Sequence, residues 1–316
     1  MLLPVAILSA DLRDQLEARL PEGIEPLWFD TPEEMVELAP EAEIGWFDQR
    51  HKPPMIEAIR QAQHMRWLHT GIAGLDFIPP DLLEREGLIV TNGAGINSSA
   101  VAEYALMGML TIAKDYPAIV RAQDRHEWLS EPPGTRQLAG SRALILGYGT
   151  IGRLIGQQLT AFGVECVPVR HSAKDGALGP DEWRGRLDEF DWIVLAVPST
   201  DETTGMIGAK ELAAMKSEAV LVNIARGDVV DQDALVDVLR DRRIHAAFCE
   251  VTTPEPLPAD HPLWSLDNAH ISMHLSGLSN TKGRQVAAER FLENCRHFLA
   301  GEDHKMISRY DPKRGY

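Results

Sequence analysis

Three side chains that could carry out acid–base chemistry follow three successive predicted strands. Arg226 comes just after the apolar run 220–224, Glu255 follows the run 244–251, and His274 follows the run 269–273. Because ligands bind beyond the carboxyl ends of the strands in open α/β sheets, we expect these side chains to face one ligand. Together they suit hydride transfer to a ketone, which needs a proton donor and a group that stabilises the developing alkoxide.

Each of the three residues has a defined task in such a reaction. His274 could donate the proton, and Glu255 on its other ring nitrogen would favour the imidazolium and fix the ring. Arg226 could bind a carboxylate through two hydrogen bonds while polarising the neighbouring carbonyl. Taken singly, they could be a strand-end histidine, a loop-pinning arginine and a solvated glutamate. Their joint placement favours the active-site interpretation.

A glycine turn lies between the apolar run 143–146 and a stretch with helical periodicity. In dinucleotide-binding domains the first glycine makes the turn, the second lets the backbone approach the pyrophosphate, and the third lets the helix pack on the strand. The helix N-terminus adds unpaired N–H groups. A purely structural glycine turn is the alternative. The predicted cofactor-binding segment is Gly147, Tyr148, Gly149, Thr150, Ile151 and Gly152.

The next predicted strand ends without the acidic residue that normally binds the ribose 2′-hydroxyl. Its end is followed by Arg170, His171 and Ser172. A guanidinium at this point can bind a 2′-phosphate through two hydrogen bonds. The sequence therefore predicts a preference for NADP(H), with NAD(H) possible. In the alternative interpretation Arg170 is a surface residue and Asp175 serves NAD.

Short apolar runs alternate with helix-period stretches along the chain, which predicts an α/β fold with parallel sheets. In the first third we expect helices at 11–20 and 55–63, and strands at 5–9, 25–29, 44–47, 67–70 and 88–91. A long helix is expected from Ser98, with Ser98 or Ser99 as its cap, and the chain ends in a helix from Asn280. Six strands that fit a Rossmann domain are expected at 142–146, 164–169, 192–197, 220–224, 244–251 and 269–273.

Composition and charge exclude several classes of protein. The length of 316 residues favours two domains or one large one, and 44% apolar residues suffice for packed cores. A net charge of −16 argues against a nucleic-acid partner. We expect a first strand at the N-terminus rather than a signal peptide, and no membrane segment. The cysteines, Cys166, Cys249 and Cys295, are widely spaced and indicate reduced thiols in a cytoplasmic protein.

Motifs along nearly the whole chain resemble the D-isomer-specific 2-hydroxyacid dehydrogenase family. Besides the glycine turn, the segments that carry the resemblance are 71–76, 101–103, 223–231, 254–258 with 262–264, and 274–277. The resemblance implies a flavodoxin-like substrate domain, here 1–97 and 281–316, and a Rossmann NAD(P)-binding domain inserted in it, here 98–280.

The resemblance also implies roles for individual residues. Arg226, Glu255 and His274 would form the catalytic set, and the backbone N–H groups of Ala73 and Gly74 would hold the substrate carboxylate. Members of the family are usually homodimers joined through their cofactor domains, including the helix from Ser98. Further cofactor contacts are predicted at Val197, Pro198, Thr203, Ile224, Ala225 and Glu250.

Within the family, three features favour the glyoxylate/hydroxypyruvate reductase type: Arg170, Trp46 and the C-terminal residues 314–316. Trp46 could line a pocket for a small substrate or belong to the core. The chain departs from the family at Glu250, where aspartate usually contacts the nicotinamide amide, at residues 252–253, and at Met273 before the histidine. These departures surround the reacting centre and bear on substrate identity more than on the class of reaction.

The expected activity is NADPH-dependent reduction of a small 2-keto acid, such as glyoxylate or hydroxypyruvate, to the D-2-hydroxy acid. One alternative is NAD-dependent oxidation of a D-2-hydroxy acid. The other is a dinucleotide-sensing binding protein similar to a transcriptional corepressor, since the same family fold also serves that function.

Overall fold

The structure is a computed structural model that describes residues 3–171, 173, 176–278 and 281–311. Its contacts divide the chain into two compact units, Met1–Asn97 with Ser279–Tyr316, and Ser98–Leu278. Each unit contains one parallel sheet with helices, so the predicted α/β class is confirmed.

The sheet of the first unit has five parallel strands in the order β2-β1-β3-β4-β5. This order is the one found in flavodoxin-like folds, and it confirms the expectation for this unit. The strands are β1 (Val5–Ser9), β2 (Glu25–Phe29), β3 (Ile44–Gly45), β4 (Trp67–His69) and β5 (Ile89–Thr91). The helices are α1 (Arg13–Leu16), α2 (Pro32–Leu38), α3 (Lys52–Gln61) and α4 (Pro80–Leu83).

Local sequence signals explain where one of these helices begins and why another is short. Thr31 caps α2, with its hydroxyl on the Glu34 N–H and the Glu34 carboxylate on the Thr31 N–H, which is a complete capping box. The expected helix at 11–20 is instead a four-residue α1 between two 3-10 turns. Leu16 is its one buried residue, and so little packing does not sustain a longer α-helix.

The sheet of the second unit has six strands in the order β11-β10-β9-β8-β6-β7. They are β6 (Arg142–Leu146), β7 (Glu165–Val169), β8 (Trp192–Leu195), β9 (Val220–Asn223), β10 (Ala246–Cys249) and β11 (Ala269–Ile271). Leu178 forms a single parallel bridge to Val169, at the place that the third strand of a Rossmann sheet occupies. Chain order reverses between β6 and β8, which is the switch point where such sheets bind dinucleotides.

Helices cover both faces of this second sheet. They are α5 (Ser98–Lys114), α6 (Tyr116–Asp124), α7 (Thr150–Ala161), α8 (Ala209–Ala214) and α9 (Gln232–Arg240). Every residue of β8 is buried: Ile193 and Leu195 belong to the core on one face, and Trp192 and Val194 to the core on the other. Such two-sided burial is typical of parallel strands covered by helices.

The last helix, α10 (Thr281–Leu299), belongs to the first unit. Its Phe291 is fully buried and stacks on Trp67, with 5.1 Å between the ring centroids. The three cysteines are free thiols. Across the described ranges, no helix combines the length and the apolar character needed to cross a membrane.

Candidate active site

The glycine turn connects β6 to α7, and two of its glycines are sterically required. Gly147 has φ +91, and a Cβ on it would lie 2.5 Å from the carbonyl oxygen of Ala196 beyond β8. A Cβ on Gly152 would lie 2.0 Å from the carbonyl oxygen of Gly147. The first glycine therefore permits the turn, and the third permits the close contact of helix and strand.

The second glycine is different, because nothing lies within 4 Å of the place where its Cβ would be. Gly149 is the N-cap of the twelve-residue α7 and provides no capping side chain. The first N–H groups of the helix are therefore available to an anion, and the helix dipole favours negative charge there. This open cradle fits a dinucleotide pyrophosphate.

Arg170 follows β7 at the same edge of the sheet. Its backbone N–H donates to the carbonyl oxygen of Leu178, and the residue is half-buried. Within the described part of the chain, its guanidinium makes no hydrogen bond and no ion pair. His171 beside it is exposed. Ser172, the third predicted residue of this group, lies outside the described residues, as does Asp175.

The remaining predicted cofactor residues lie in two turns at this edge. Thr203 shapes the turn after β8, since its hydroxyl donates to the Pro198 carbonyl oxygen at 2.6 Å and accepts from the Thr200 N–H at 2.9 Å. Val197 is half-buried and Pro198 is exposed. The turn after β9 contributes two buried residues, Ile224 and Ala225.

Asn223, at the end of β9, shapes the turn that carries Arg226. Its side-chain oxygen accepts the Ala225 N–H at 3.0 Å, and its Nδ2 donates to the Arg226 carbonyl oxygen at 2.8 Å. Both bonds return to the backbone within three residues, as in an Asx turn. The guanidinium of Arg226 donates through Nη1 to the Ala225 carbonyl oxygen at 2.8 Å.

Gly227 lets the loop after β9 lie against the loop after β10. A Cβ on Gly227 would lie 2.1 Å from the backbone carbonyl carbon of Thr252. The same Thr252 donates its N–H to Glu255 Oε1 at 3.1 Å. The glycine thus brings Arg226 and Glu255 together although 29 positions separate them in the sequence.

Glu255 and His274 form a direct pair, with Glu255 Oε2 at 2.7 Å from His274 Nδ1. Since the carboxylate can only accept, Nδ1 carries the proton in this contact and Nε2 is the nitrogen left for a substrate. The two side chains keep 38% and 44% of their surface exposed. A substrate can therefore reach the imidazole directly.

The charges around this pair shift both of its pKa values. The hydrogen bond that His274 donates to Glu255 raises the pKa of His274, and the negative charges of Glu255 and Glu250 add to this against the opposing effects of burial and of Arg226. Burial opposes ionisation of Glu255, but the hydrogen bond and charge of His274, with the Thr252 N–H and Arg226, hold its pKa below the usual range. The pair therefore favours imidazolium beside carboxylate, which is the form that can donate a proton.

Backbone strain and a buried acid set the position of the imidazole. Met273 and His274 both adopt left-handed conformations, with φ +60 and +53, which is unusual for residues other than glycine. The His274 N–H donates to the Glu250 carbonyl oxygen at 2.7 Å, and the Glu250 carboxylate accepts the Ser276 N–H at 2.9 Å. Glu250 is 1% exposed. Its carboxylate thus holds the turn behind His274, and its predicted contact with the nicotinamide stays a prediction.

In the first unit, the predicted carboxylate-binding segment follows β4. The Asp48 carboxylate accepts the Gly71 N–H at 2.7 Å and the Thr70 hydroxyl. Among the described residues, the backbone N–H groups of Ala73 and Gly74 have no acceptor, and Ala73 is exposed. Two adjacent unsatisfied N–H groups at a surface can bind an anion.

Trp46 lies in the core of the first unit, which favours the second of the two interpretations left open by the sequence. It is 4% exposed, and its ring meets His69 edge-on with 4.5 Å between centroids. Its indole N–H donates to Asp48 at 2.8 Å. Trp46 therefore supports Asp48, which in turn holds the predicted carboxylate-binding segment through the Gly71 N–H.

Sequence reasoning missed several residues that shape these turns. Asn223 could have been found, because asparagine at a strand end before a turn is a known signal. Asp48, Asn92 and Ser276 gave no such signal, since their partners lie far away in the sequence. Across the described residues, no three metal-ligating side chains cluster as a metal site would require.

Comparison with known proteins identifies a family to which the chain is similar. Residues 106–276, more than half of the chain, match the family model described as D-isomer specific 2-hydroxyacid dehydrogenase, NAD binding domain. Glyoxylate reductase/hydroxypyruvate reductase of Mus musculus is 31% identical over 76% of this chain and 75% of its own length. D-3-phosphoglycerate dehydrogenase of Mycobacterium tuberculosis is 29% identical over 96% of this chain, but the chain spans only 58% of that relative's length.

Two solved structures resemble the whole chain. A D-isomer specific 2-hydroxyacid dehydrogenase family protein from Aeromonas salmonicida has a TM-score of 0.87 and 27% identity, covering 98% of this chain and 99% of that one. A D-isomer specific 2-hydroxyacid dehydrogenase from Xanthobacter autotrophicus, in complex with NADPH and MES, has a TM-score of 0.77 and 27% identity over 99% of both chains.

Proposed function

Because the chain belongs to the D-isomer specific 2-hydroxyacid dehydrogenase family, we propose that it catalyses the NADPH-dependent reduction of a small 2-keto acid to the D-2-hydroxy acid. Glyoxylate and hydroxypyruvate are the proposed kind of substrate. The observation that carries the proposal is the 2.7 Å pair of Glu255 and His274, whose charges also interact with Arg226.

The proposed reaction assigns one task to each of these residues. Bound NADPH supplies the hydride that reduces the keto carbon. The protonated His274 donates the proton on Nε2 to the carbonyl oxygen, while Glu255 holds the ring through Nδ1 and stabilises its positive charge. Arg226 binds the carboxylate and polarises the carbonyl, so that negative charge developing on the oxygen is stabilised. The N–H groups of Ala73 and Gly74 bind the carboxylate.

The proposed preference for NADPH is supported by the end of β7. Arg170 stands there with a guanidinium that has no partner among the described residues, and no acidic residue directly follows Val169. Arginine binds phosphate through a planar pair of donors, whereas a carboxylate at this point would repel a 2′-phosphate. The relative from Xanthobacter autotrophicus was solved with NADPH.

We further propose that two copies of the chain associate through α5 and α6. Met107 and Tyr116 are 45% and 55% exposed, and Trp128 just beyond α6 is 97% exposed. Met107 and Tyr116, together with Leu106 and Leu110, line an apolar groove along α5. Exposed apolar surface of this kind marks association sites, and a second copy would cover it with the same surface.

The proposed reaction is tested by mixing the protein with a panel of 2-keto acids and either NADPH or NADH, and following oxidation of the cofactor by its absorbance. His274→Gln should lower kcat by about 10²–10⁴-fold, the usual contribution of a general acid. The Kd for NADPH should stay unchanged in this variant. Absence of turnover with every keto acid and both cofactors would reject the proposal, and normal turnover by His274→Gln would remove that residue from its role.

A further inference from the structure

The segment Gly71–Gly74 binds half of its polar backbone groups to the scaffold of the first unit. The Gly71 N–H donates to Asp48, and the Ile72 N–H donates to the Thr70 hydroxyl at 3.0 Å. The carbonyl oxygens of Ile72 and Ala73 also have partners. Of the four N–H groups in this segment, those of Ala73 and Gly74 have no acceptor within the described ranges.

One short stretch after β5 binds the carbonyl groups of both Ile72 and Ala73. The Gly93 N–H donates to the Ile72 carbonyl oxygen at 2.9 Å, and Asn92 Nδ2 donates to the Ala73 carbonyl oxygen at 2.7 Å. In a planar trans peptide, the C=O of one residue and the N–H of the next point in opposite directions. Holding the Ile72 carbonyl therefore directs the Ala73 N–H away from Gly93, and holding the Ala73 carbonyl directs the Gly74 N–H away from Asn92.

The stretch that holds the loop is itself firmly fixed. Asn92 Oδ1 accepts the Ala94 N–H at 3.2 Å, and Asn92 is 2% exposed. Arg290 on α10 donates to the carbonyl oxygens of Asn92 and Ala94, each at 2.9 Å. A Cβ on Gly93 would lie 1.9 Å from the Gly71 carbonyl oxygen. The loop and its support thus have little freedom to rotate.

We propose that Asn92 is a positioning residue for the substrate: its side-chain amide fixes the Ala73–Gly74 peptide plane so that the Gly74 N–H faces the carboxylate. Without this hydrogen bond the peptide can rotate, and one of the two donors to the carboxylate is lost. Only the identity of the ligand, a 2-keto carboxylate, rests on the proposed function.

The test compares two variants of Asn92 with a matched variant elsewhere in the unit. Asn92→Asp keeps the size and the acceptor for the Ala94 N–H but loses the donor, and Asn92→Ala loses the donor without adding charge. Asn294 is an equally buried asparagine that also makes two bonds to backbone, both with Ile307. Asn294→Ala therefore serves as the control for a general loss of stability.

Losing one charge-assisted hydrogen bond to the carboxylate should raise KM for the keto acid by about 10–100-fold in both Asn92 variants. Because the bond is made equally in ground state and transition state, kcat at saturation should change little. The Kd for NADPH should not change. In the NADP⁺-bound protein, calorimetry with oxalate as a non-reacting dicarboxylate probe should show the same loss of affinity.

The outcomes separate this inference from the proposed reaction. Unchanged KM and unchanged oxalate affinity in both Asn92 variants would overturn the inference, as would an equal rise in KM in Asn294→Ala or a wild-type protein that does not bind oxalate. A wild-type protein that reduces no keto acid but binds oxalate in an Asn92-dependent way would reject the reaction and support the positioning role.

Discussion

Adding one methyl group to Gly152 should lower the stability of the fold, whereas adding one to Gly149 should weaken cofactor binding. On Gly152 the new Cβ would lie 2.0 Å from the Gly147 carbonyl oxygen, which belongs to a backbone held at φ +91. Overpacking of this kind costs about 1–3 kcal/mol. On Gly149 the Cβ would meet nothing within 4 Å, and the φ of −76 suits alanine.

The two substitutions should therefore change different quantities, the Tm in one variant and the Kd for NADPH in the other. Gly152→Ala should lower the Tm by about 2–12 °C, since 1 kcal/mol corresponds to about 2–4 °C in a unit of this size. In Gly149→Ala, a weaker N-cap costs up to about 1 kcal/mol. The stiffer unfolded chain offsets this by about 0.4–1 kcal/mol, so the Tm should hardly move. Its Kd for NADPH should rise at least tenfold, about 1.4 kcal/mol, because the methyl group fills the space that the pyrophosphate needs.

Thermal unfolding and titration calorimetry with NADPH check both values. Gly185→Ala is the matched control, since its Cβ would also meet nothing within 4 Å and the residue lies in the 3-10 segment Arg184–Glu189. It should change neither the Tm nor the Kd. If Gly149→Ala is folded and binds NADPH as the wild type does, the glycine turn is not the pyrophosphate site. A Gly152→Ala protein with the wild-type Tm would refute the steric argument.

Three further substitutions test the cofactor preference, the role of His274 as the acid and the association of two copies. Arg170→Asp should lower the ratio of kcat/KM for NADPH to that for NADH by about 10–100-fold, through loss of a charge-assisted bond to the 2′-phosphate; an unchanged ratio would assign the selectivity elsewhere. The wild type should lose kcat/KM for reduction as pH rises through the raised pKa of His274. Glu255→Gln removes the charge that raises this pKa, so the loss should move to lower pH in a pH–rate profile; a profile that stays in place would exclude the pair as the titrating unit. Met107→Glu should convert a dimer into monomers in light scattering, because it puts charge into the apolar groove; a monomeric wild type would contradict the proposed association.

Patterns that are local in the sequence predicted most of the framework. The strand bounds 5–9, 25–29 and 142–146 agree with the structure residue for residue, because alternation and apolar runs report the environment of neighbouring residues directly. The glycine turn was equally readable, since the spacing of its glycines between a strand and a helix is itself a local pattern. The strand predicted at 44–47 ends at Gly45, and the helix expected at 11–20 is broken. In both cases packing decided how far the element continued.

The sequence by itself thus predicted the two sheets, the glycine turn and the proposed set of Arg226, Glu255 and His274, of which the structure pairs the last two. Only the tertiary structure decided which groups support them. Glu250 is committed to the turn at Ser276, 26 residues away. Asn92 holds Ala73 across 19 residues. Such pairs depend on how closely packed segments meet, and a shift of a few tenths of an ångström decides whether the hydrogen bond forms. No periodic pattern in the sequence predicts a bond of this kind.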